Sequence, residues 1–221
     1  MKSPLTEAEL ARLSIFPLPN AALFPGTPLP LHVFEPRYRA MVRDALASTR
    51  AIALARLRPG FEADYEGSPP VFEICGAGRI IDHVMHEDGR YHLVLHGLAR
   101  VRILSELPPT GPYRIVQAEL LADLATEPRL CTGLETKIRA LWQGLAPTLP
   151  PDTRDLAEAT RGATTASAFS DRLGALLAGD AELSLRLLGE RDPCTRLQLI
   201  AERLQVMTES LAPASARATL N

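Results

Sequence analysis

The stretch Asp82-His-Val-Met-His-Glu-Asp-Gly-Arg-Tyr-His-Leu-Val-Leu95 decides how the first half of this 221-residue chain is read. Two runs of alternating apolar residues flank Asp88-Gly89, and Asp-Gly between such runs is the strongest short-range hairpin signal. Taking Asp88 and Gly89 as a two-residue turn sets His86 opposite Tyr91, Val84 opposite Leu93 and Asp82 opposite Leu95. In that register His83, His92 and His96 project to one face. Gly97 then permits a bend or bulge before residues 101–104 carry the strand on.

Working outward, residues 52–57 read as a strand before the hairpin and residues 113–121 as one after it. The loop between Pro59-Gly60 and Pro69-Pro70 carries Glu62, Asp64 and Glu66, a solvated acidic surface. Upstream, residues 15–31 hold five prolines, too many for a helix or the middle of a sheet, so this entry runs as short extended pieces joined by turns, Pro25-Gly26 among them. Glu35-Pro36 then starts a helix. Tyr38, Met41, Val42, Ala45 and Leu46 repeat on one of its faces, while Arg37, Arg39, Arg43 and Asp44 fall mostly on the other.

The texture changes past residue 128, where Ala and Leu recur at helical spacing. Leu134, Ile138, Leu141, Trp142 and Leu145 make one stripe, ended by Pro147 and Pro150-Pro151. Phe169, Leu173, Leu176 and Leu177 make a second. A third is capped by Asp180 and carries Leu183, Leu187 and Leu188. The last starts at Asp192-Pro193 and bears Leu197, Ile200, Leu204, Met207 and Leu211, a stripe that reads as core packing rather than a coiled-coil seam. Residues after Pro213 read as frayed. The pattern predicts an α+β protein, with a β-rich lobe over 1–124 and a helical lobe over 125–221.

Composition narrows the function classes. Lysine and arginine number 24 against 26 acids, a net charge of −2, and the first 120 residues carry 13 of each sign. A neutral β lobe lacks the basic excess that phosphate or anionic lipid requires, so nucleic acid and membrane are disfavoured partners. The opening residues lack a signal-peptide core and no apolar run approaches a bilayer span, which leads us to expect a cytoplasmic protein. Cys75, Cys131 and Cys194 are odd in number and far apart, which argues against a disulfide framework and fits a reducing compartment.

Reactive chemistry is sparse. No Gly precedes a Lys, so the P-loop is missing, and Lys2 and Lys137 are the only lysines from which a Ser-Lys dyad could be built. No Cys-x-x-Cys or His-Glu-x-x-His occurs; His83, His92 and His96 are conceivable metal ligands, but ordinary strand histidines are the favoured reading. Cys75 reads as a small core residue. Glu35, Arg37 and Arg39 read first as an internal ion pair tying loop to barrel. Arg79 and Arg100 sit near strand ends, within reach of Asp82 or Glu73. We expect no catalytic residue, no metal and no cofactor.

The residues around the entry carry a resemblance. Phe16-Pro17-Leu18-Pro19, Phe24-Pro25-Gly26 and Leu29-Pro30-Leu31-His32-Val33-Phe34-Glu35-Pro36-Arg37-Tyr38-Arg39 closely resemble the opening signature of the Lon protease N-terminal domain. Gly76-Ala-Gly-Arg79-Ile80-Ile81, Asp88-Gly89-Arg90-Tyr91 and the G-x-x-R-x-x-I run of Gly97, Arg100 and Ile103 are similar to that family's following hairpin. The likeness spans nearly the whole chain, with the first forty residues carrying most of the weight. It implies a PUA-like pseudo-β-barrel lobe followed by an α-helical bundle lobe. In full Lon enzymes this domain helps hold unfolded or tagged polypeptides for an ATPase and a peptidase.

The resulting expectation is a free-standing, ATP-independent, non-enzymatic module that captures unfolded or extended polypeptide segments, with a protease or chaperone supplied in trans as a further partner. Capture would use sheet-edge addition or a shallow groove. The expected binding residues are Phe24, Leu29, Phe34, Glu35, Arg37, Arg39 and Arg100, although for the apolar residues from Phe24 to Phe34 a buried anchoring role is the favoured reading. A PUA-like RNA binder and a small hydrolase with an unrecognised Ser or His site are the alternatives.

Overall fold

A computed structural model describes residues 4–65, 67–125 and 128–211; Glu66 of the acidic loop, the side chain of Leu211 and the stretch after Pro213 lie outside the described residues. The chain divides into two compact units, one of Met1–Ala122 with Leu177–Gly189 and the other of Asp123–Leu176 with Glu190–Asn221. The sequence predicts a boundary after residue 124, with every later residue in the helical lobe. Residues 177–189 differ: they belong with the strands rather than with the other helices.

The first unit contains α1 (Glu7–Ala11), β1 (Leu13–Leu18), β2 (Pro28–Val33), α2 (Pro36–Leu46), β3 (Ala51–Arg56), β4 (Ile74–Met85), β5 (Tyr91–Glu106) and β6 (Ile115–Leu120). The strands follow the order β2-β5-β4-β3-β1-β6, and β6 pairs again with β5, so five strands close on themselves while β2 lies alongside the first half of β5. Only β1 and β3 are parallel, with α2 inside the connection between them. β3 shows the two-residue period plainly. Ile52 and Leu54 enter a cluster with Tyr38, Met41, Val42, Leu93 and Leu95, whereas Ala51, Ala53 and Ala55 enter another with Leu13, Ile15, Cys75, Ala77 and Val101.

Glycines on β4 and β5 explain what the proline-rich entry does. A Cβ on Gly76 would lie 1.9 Å from the Leu23 carbonyl oxygen, and one on Gly97 would lie 2.0 Å from that of Phe24. Leu23 and Phe24 are buried against these strands. Gly26 N–H donates to the Gly97 carbonyl at 2.9 Å, and Gly97 N–H donates to that of Thr27 at 2.9 Å. The entry is therefore a plug laid on backbone, and only residues without side chains let it approach.

The hairpin departs from its expected register. Asp82 faces Val94, His83 faces Leu93, Val84 faces His92 and Met85 faces Tyr91. His86 N–H donates to the Arg90 carbonyl at 2.9 Å, leaving Glu87, Asp88 and Gly89 as a three-residue loop. Gly89 alone takes a left-handed φ, at 79°, while Asp88 does not. An Asp-Gly pair in a two-residue turn would need both, and one extra loop residue slips the pairing by one. His83 consequently lies across from the inward-facing Leu93, and the expected common face of His83, His92 and His96 is not formed.

The second unit holds α3 (Pro128–Leu145), α4 (Leu156–Ala159), α5 (Ala166–Leu176) and α7 (Pro193–Leu211); α6 (Ala181–Gly189) falls in the first. The Asp180 cap is present, its carboxylate accepting from Leu183 N–H at 3.0 Å, and Asp192 accepts from Cys194 N–H at 3.0 Å. Ile138, Trp142 and Leu145 of α3 and Leu197, Ile200 and Leu204 of α7 are buried. Cys131 and Cys194 are disulfide-bonded across these two helices, with Cα atoms 5.1 Å apart. That corrects the expectation of three unpaired thiols, since residues 63 apart in sequence become neighbours only through tertiary packing. Cys75 is free and buried, and burial pushes its thiol up to about 12, so it packs as a small apolar residue and supplies no thiolate at neutral pH.

Fully buried Arg196 donates to both Asp123 oxygens at 2.7 and 2.9 Å and to Ser170 Oγ at 2.9 Å, with Asp171 3.7 Å away. Burial alone would lower its pKa, but the hydrogen-bonded Asp123 with Asp171 and Glu190 holds it above the ordinary value. The pairing is structural: each of these groups is satisfied by another side chain in the same unit.

Candidate binding surface

The expected binding residues do not converge. Phe24 and Arg100 are buried and Leu29 packs against the core, so none of the three lines an open groove. Glu35 and Arg37 form an internal tie. Arg37 Nε donates to Glu35 at 3.0 Å, Arg37 Nη2 donates to the Tyr65 carbonyl at 2.9 Å, and the Tyr65 hydroxyl donates to Glu35 at 2.8 Å. Arg79 is likewise committed, donating to the buried carboxylate of Glu9 at 2.6 Å rather than to Asp82 or Glu73. Phe34 is 57% exposed. Arg39 has no side-chain partner among the described residues and lies against the hairpin turn, its Nη2 1.9 Å from where a Cβ on Gly89 would stand.

A different set of residues does converge. Because Tyr91, Leu93 and Leu95 point inward, the opposite face of the β2-β5-β4 strands presents His32, His92 and Val84 in one cross-strand row. His86 Nε2 and His92 Nδ1 are 2.7 Å apart, the His32 and His92 rings lie 4.5 Å apart, and Phe34 lies 5.7 Å from His32. The slight desolvation of His92, with positive charge on His32, His86 and Arg90, lowers its pKa. Among the described residues no group of three or more His, Cys, Asp or Glu is arranged to hold a metal ion. The histidine hydrogen bond joins two imidazoles, with no hydroxyl or thiol nucleophile in it.

Beside this face runs an unpaired strand edge. β3 pairs with β4 only along Gly76–Arg79, and Ile80 N–H donates to the Arg50 carbonyl at 3.0 Å. From Ile81 to Met85, β4 has β5 on one side and, among the described residues, no strand on the other. A register shift between Ile80 and Asp82 turns Ile80 into the core and leaves Ile81 57% exposed. Val84 and Met85 are exposed to similar extents. The adjacent pair Ile80-Ile81 is the sequence signal that was available for this, because two neighbouring apolar residues break a period of two.

At the end of the edge, Pro36, Arg39, Ala40 and Arg43 of α2 meet Met85, Gly89 and Tyr91 around a recess of about 340 Å³. A second cleft of about 290 Å³ lies between Arg37, Tyr38 and the turn at residues 107–115. Its two arginines are occupied, Arg37 as above and Arg114 with Glu106 and the Pro69 carbonyl. Other β-unit arginines are also paired, Arg58 with Glu73, Arg90 with Asp88 and Arg102 with Glu119.

The chain resembles known proteins along most of its length. The model of the ATP-dependent protease La (LON) substrate-binding domain matches residues 12–206. Among curated proteins, a Lon protease of Anaeromyxobacter dehalogenans is 27% identical over 206 residues and Lon protease 2 of Myxococcus xanthus 28% over 204, covering 91% and 90% of this chain. The chain spans 24% of the length of each. Among solved structures, a Lon N-terminal domain protein from Xanthomonas campestris matches with a TM-score of 0.59 and 24% identity, over 91% of this chain and 99% of that one. The N-terminal domain of a Mycobacterium avium complex Lon protease matches with a TM-score of 0.61 and 14% identity, over 88% and 98%. Both likenesses support the α+β fold alone.

Proposed function

The chain belongs to the ATP-dependent protease La (LON) substrate-binding domain family, and on that premise we propose that it is a non-catalytic module that binds unfolded or extended polypeptide segments reversibly. The observation that carries this reading is the strand edge along which Ile81, Val84 and Met85 are exposed, with exposed Phe34 in the row of His32, His92 and Val84 on one of its faces. Large apolar side chains gathered beside an unpaired strand edge bind by contact area and backbone hydrogen bonds, and need no reactive group.

The finer architecture belongs to the same proposal. The closed five-strand ladder supports a PUA-like pseudo-barrel, and packing of α3 on α7 supports a helical bundle. A partner ATPase, protease or chaperone acting on what is captured completes the proposal. So does a cytoplasmic location, although the Cys131–Cys194 bridge removes the cysteine argument for it. Among the described residues no helix is long and apolar enough to cross a membrane.

Fluorescence titration of a labelled, permanently unfolded model polypeptide tests the reading. Saturable binding is expected, weak enough to reverse within the measurement. Retention no greater than that on an unrelated acidic protein of the same size would refute it.

A further inference from the structure

Resting on that reading, we propose that the capture site is the free edge of β4 from Ile81 to Met85, and that its occupant is an extended client segment alternating apolar with acidic residues.

Backbone geometry defines the edge. Ile80 N–H points away from β5, to Arg50, and His86 N–H points toward β5, to Arg90. Alternation between them turns the backbone groups of His83 and Met85 outward and those of Asp82 and Val84 toward β5. An added strand therefore finds the Met85 N–H and the His83 and Met85 carbonyls. The remaining outward donor, His83 N–H, is held at 2.9 Å by the Asp82 carboxylate. A charge on an otherwise bare edge guards against indiscriminate pairing, and a client displaces it.

Charge selects the occupant. Beside the edge, α2 presents Arg39 and Arg43 one turn apart around the recess that Met85 also lines. Arg39 has no carboxylate partner among the described residues, and Arg43 shares exposed Asp44 with the Tyr113 hydroxyl. The chain is acidic overall, so this is a local cationic flank against a globally negative molecule. A strand added here would carry its apolar side chains over Val84 on one face and its acidic ones on the opposite face, beside Met85 and the arginines.

The experiment uses the full chain and three labelled decapeptides: alternating Val-Glu, alternating Val-Lys, and the Val-Glu peptide N-methylated at every backbone nitrogen. The Val-Glu peptide is expected to bind about tenfold more tightly than the Val-Lys peptide at low salt, with the gap closing near ~0.5 M salt. N-methylation should abolish binding. Arg39→Glu with Arg43→Glu should invert the peptide preference. Met85→Pro, which removes one outward N–H and spares the ladder to β5, should weaken both peptides by about tenfold. If Met85→Pro fails to fold, the double charge reversal and the N-methylated peptide decide the question. Equal binding of all three peptides, unchanged by the charge reversal, would overturn the site while leaving polypeptide binding intact. Failure of wild-type protein to bind any unfolded chain would remove the functional reading itself. Concentration-dependent self-association lost in Met85→Pro would overturn the choice of occupant.

Discussion

The two ends of β4 obey the same pairing rules and finish in opposite states. Around Gly76 the strand is enclosed by β3 and β5, with the Leu23–Phe24 plug laid over it so closely that no side chain fits between. Around Val84 it keeps one neighbour, and the side chains left over are large and apolar. The difference follows from how far β3 reaches: its ladder to β4 begins at Ala51 opposite Arg79, and nothing in β3 opposes the last six residues of the hairpin arm. One end is therefore sealed, and the other leaves apolar surface exposed.

Gly76→Val breaks this contrast most severely. Its side chain would have to occupy the position of the Leu23 carbonyl, which is backbone and cannot rotate aside. We expect a loss of about 4 kcal/mol or more, read as a collapse of the urea midpoint or failure to accumulate folded protein. Ordinary stability in that variant would mean that the plug is not seated on the strands.

The second largest effect lies in the other unit. Cys131→Ser removes a bridge across 63 residues, and the chain-entropy model assigns a loop of that size about 4 kcal/mol, model-dependent. The Arg196 network remains in place and α3 still packs on α7, so a folded but less stable helical unit is expected. Thermal melts with and without reductant should show a lower transition for this unit, while strand amides keep their hydrogen-exchange protection. Loss of strand-amide protection along with the helical transition would contradict a bridge that stabilises this unit alone.

These contrasts mark what could be read from the residues. The α2 stripe, the Asp180 and Asp192 caps and the α3 core residues follow local rules and appear as expected, as does the family signature. That signature marks architecture: Phe24, Gly97 and Arg100 are plug, close approach and buried charge, so a strong motif pointed to fold and away from the surface. The hairpin register was not legible, because whether Asp-Gly forms a two- or three-residue loop depends on the φ of Asp88, which its neighbours in space determine. The bridge and the return of α6 to the strand unit are tertiary facts without a local pattern. The capping box Thr6-x-x-Glu9, by contrast, is a local pattern legible in the residues themselves.

That box sharpens the comparison at its midpoint, with the smallest predicted effect. Glu9 accepts from the Thr6 N–H and hydroxyl at 2.7 and 2.9 Å and from Arg79 at 2.6 Å, and Arg79 is the last β4 residue paired with β3. Burial would raise the Glu9 pKa, but the Thr6 hydrogen bonds and the Arg79 guanidinium together lower it below its usual 4.5. A depressed carboxylate stabilises the fold above its unfolded pKa, and that contribution disappears as pH falls through the lower folded value. Glu9→Gln, which keeps the shape and removes the charge, should cost about 1 kcal/mol at pH 7. Wild type and variant should converge only as pH falls below the depressed folded pKa of Glu9. If Glu9 also marks where the sealed strand gives way to the open edge, the variant will lose amide protection first at Ile80, whose N–H is next beyond Arg79, and leave Ala77 unchanged. Uniform loss along β4 would place the boundary elsewhere.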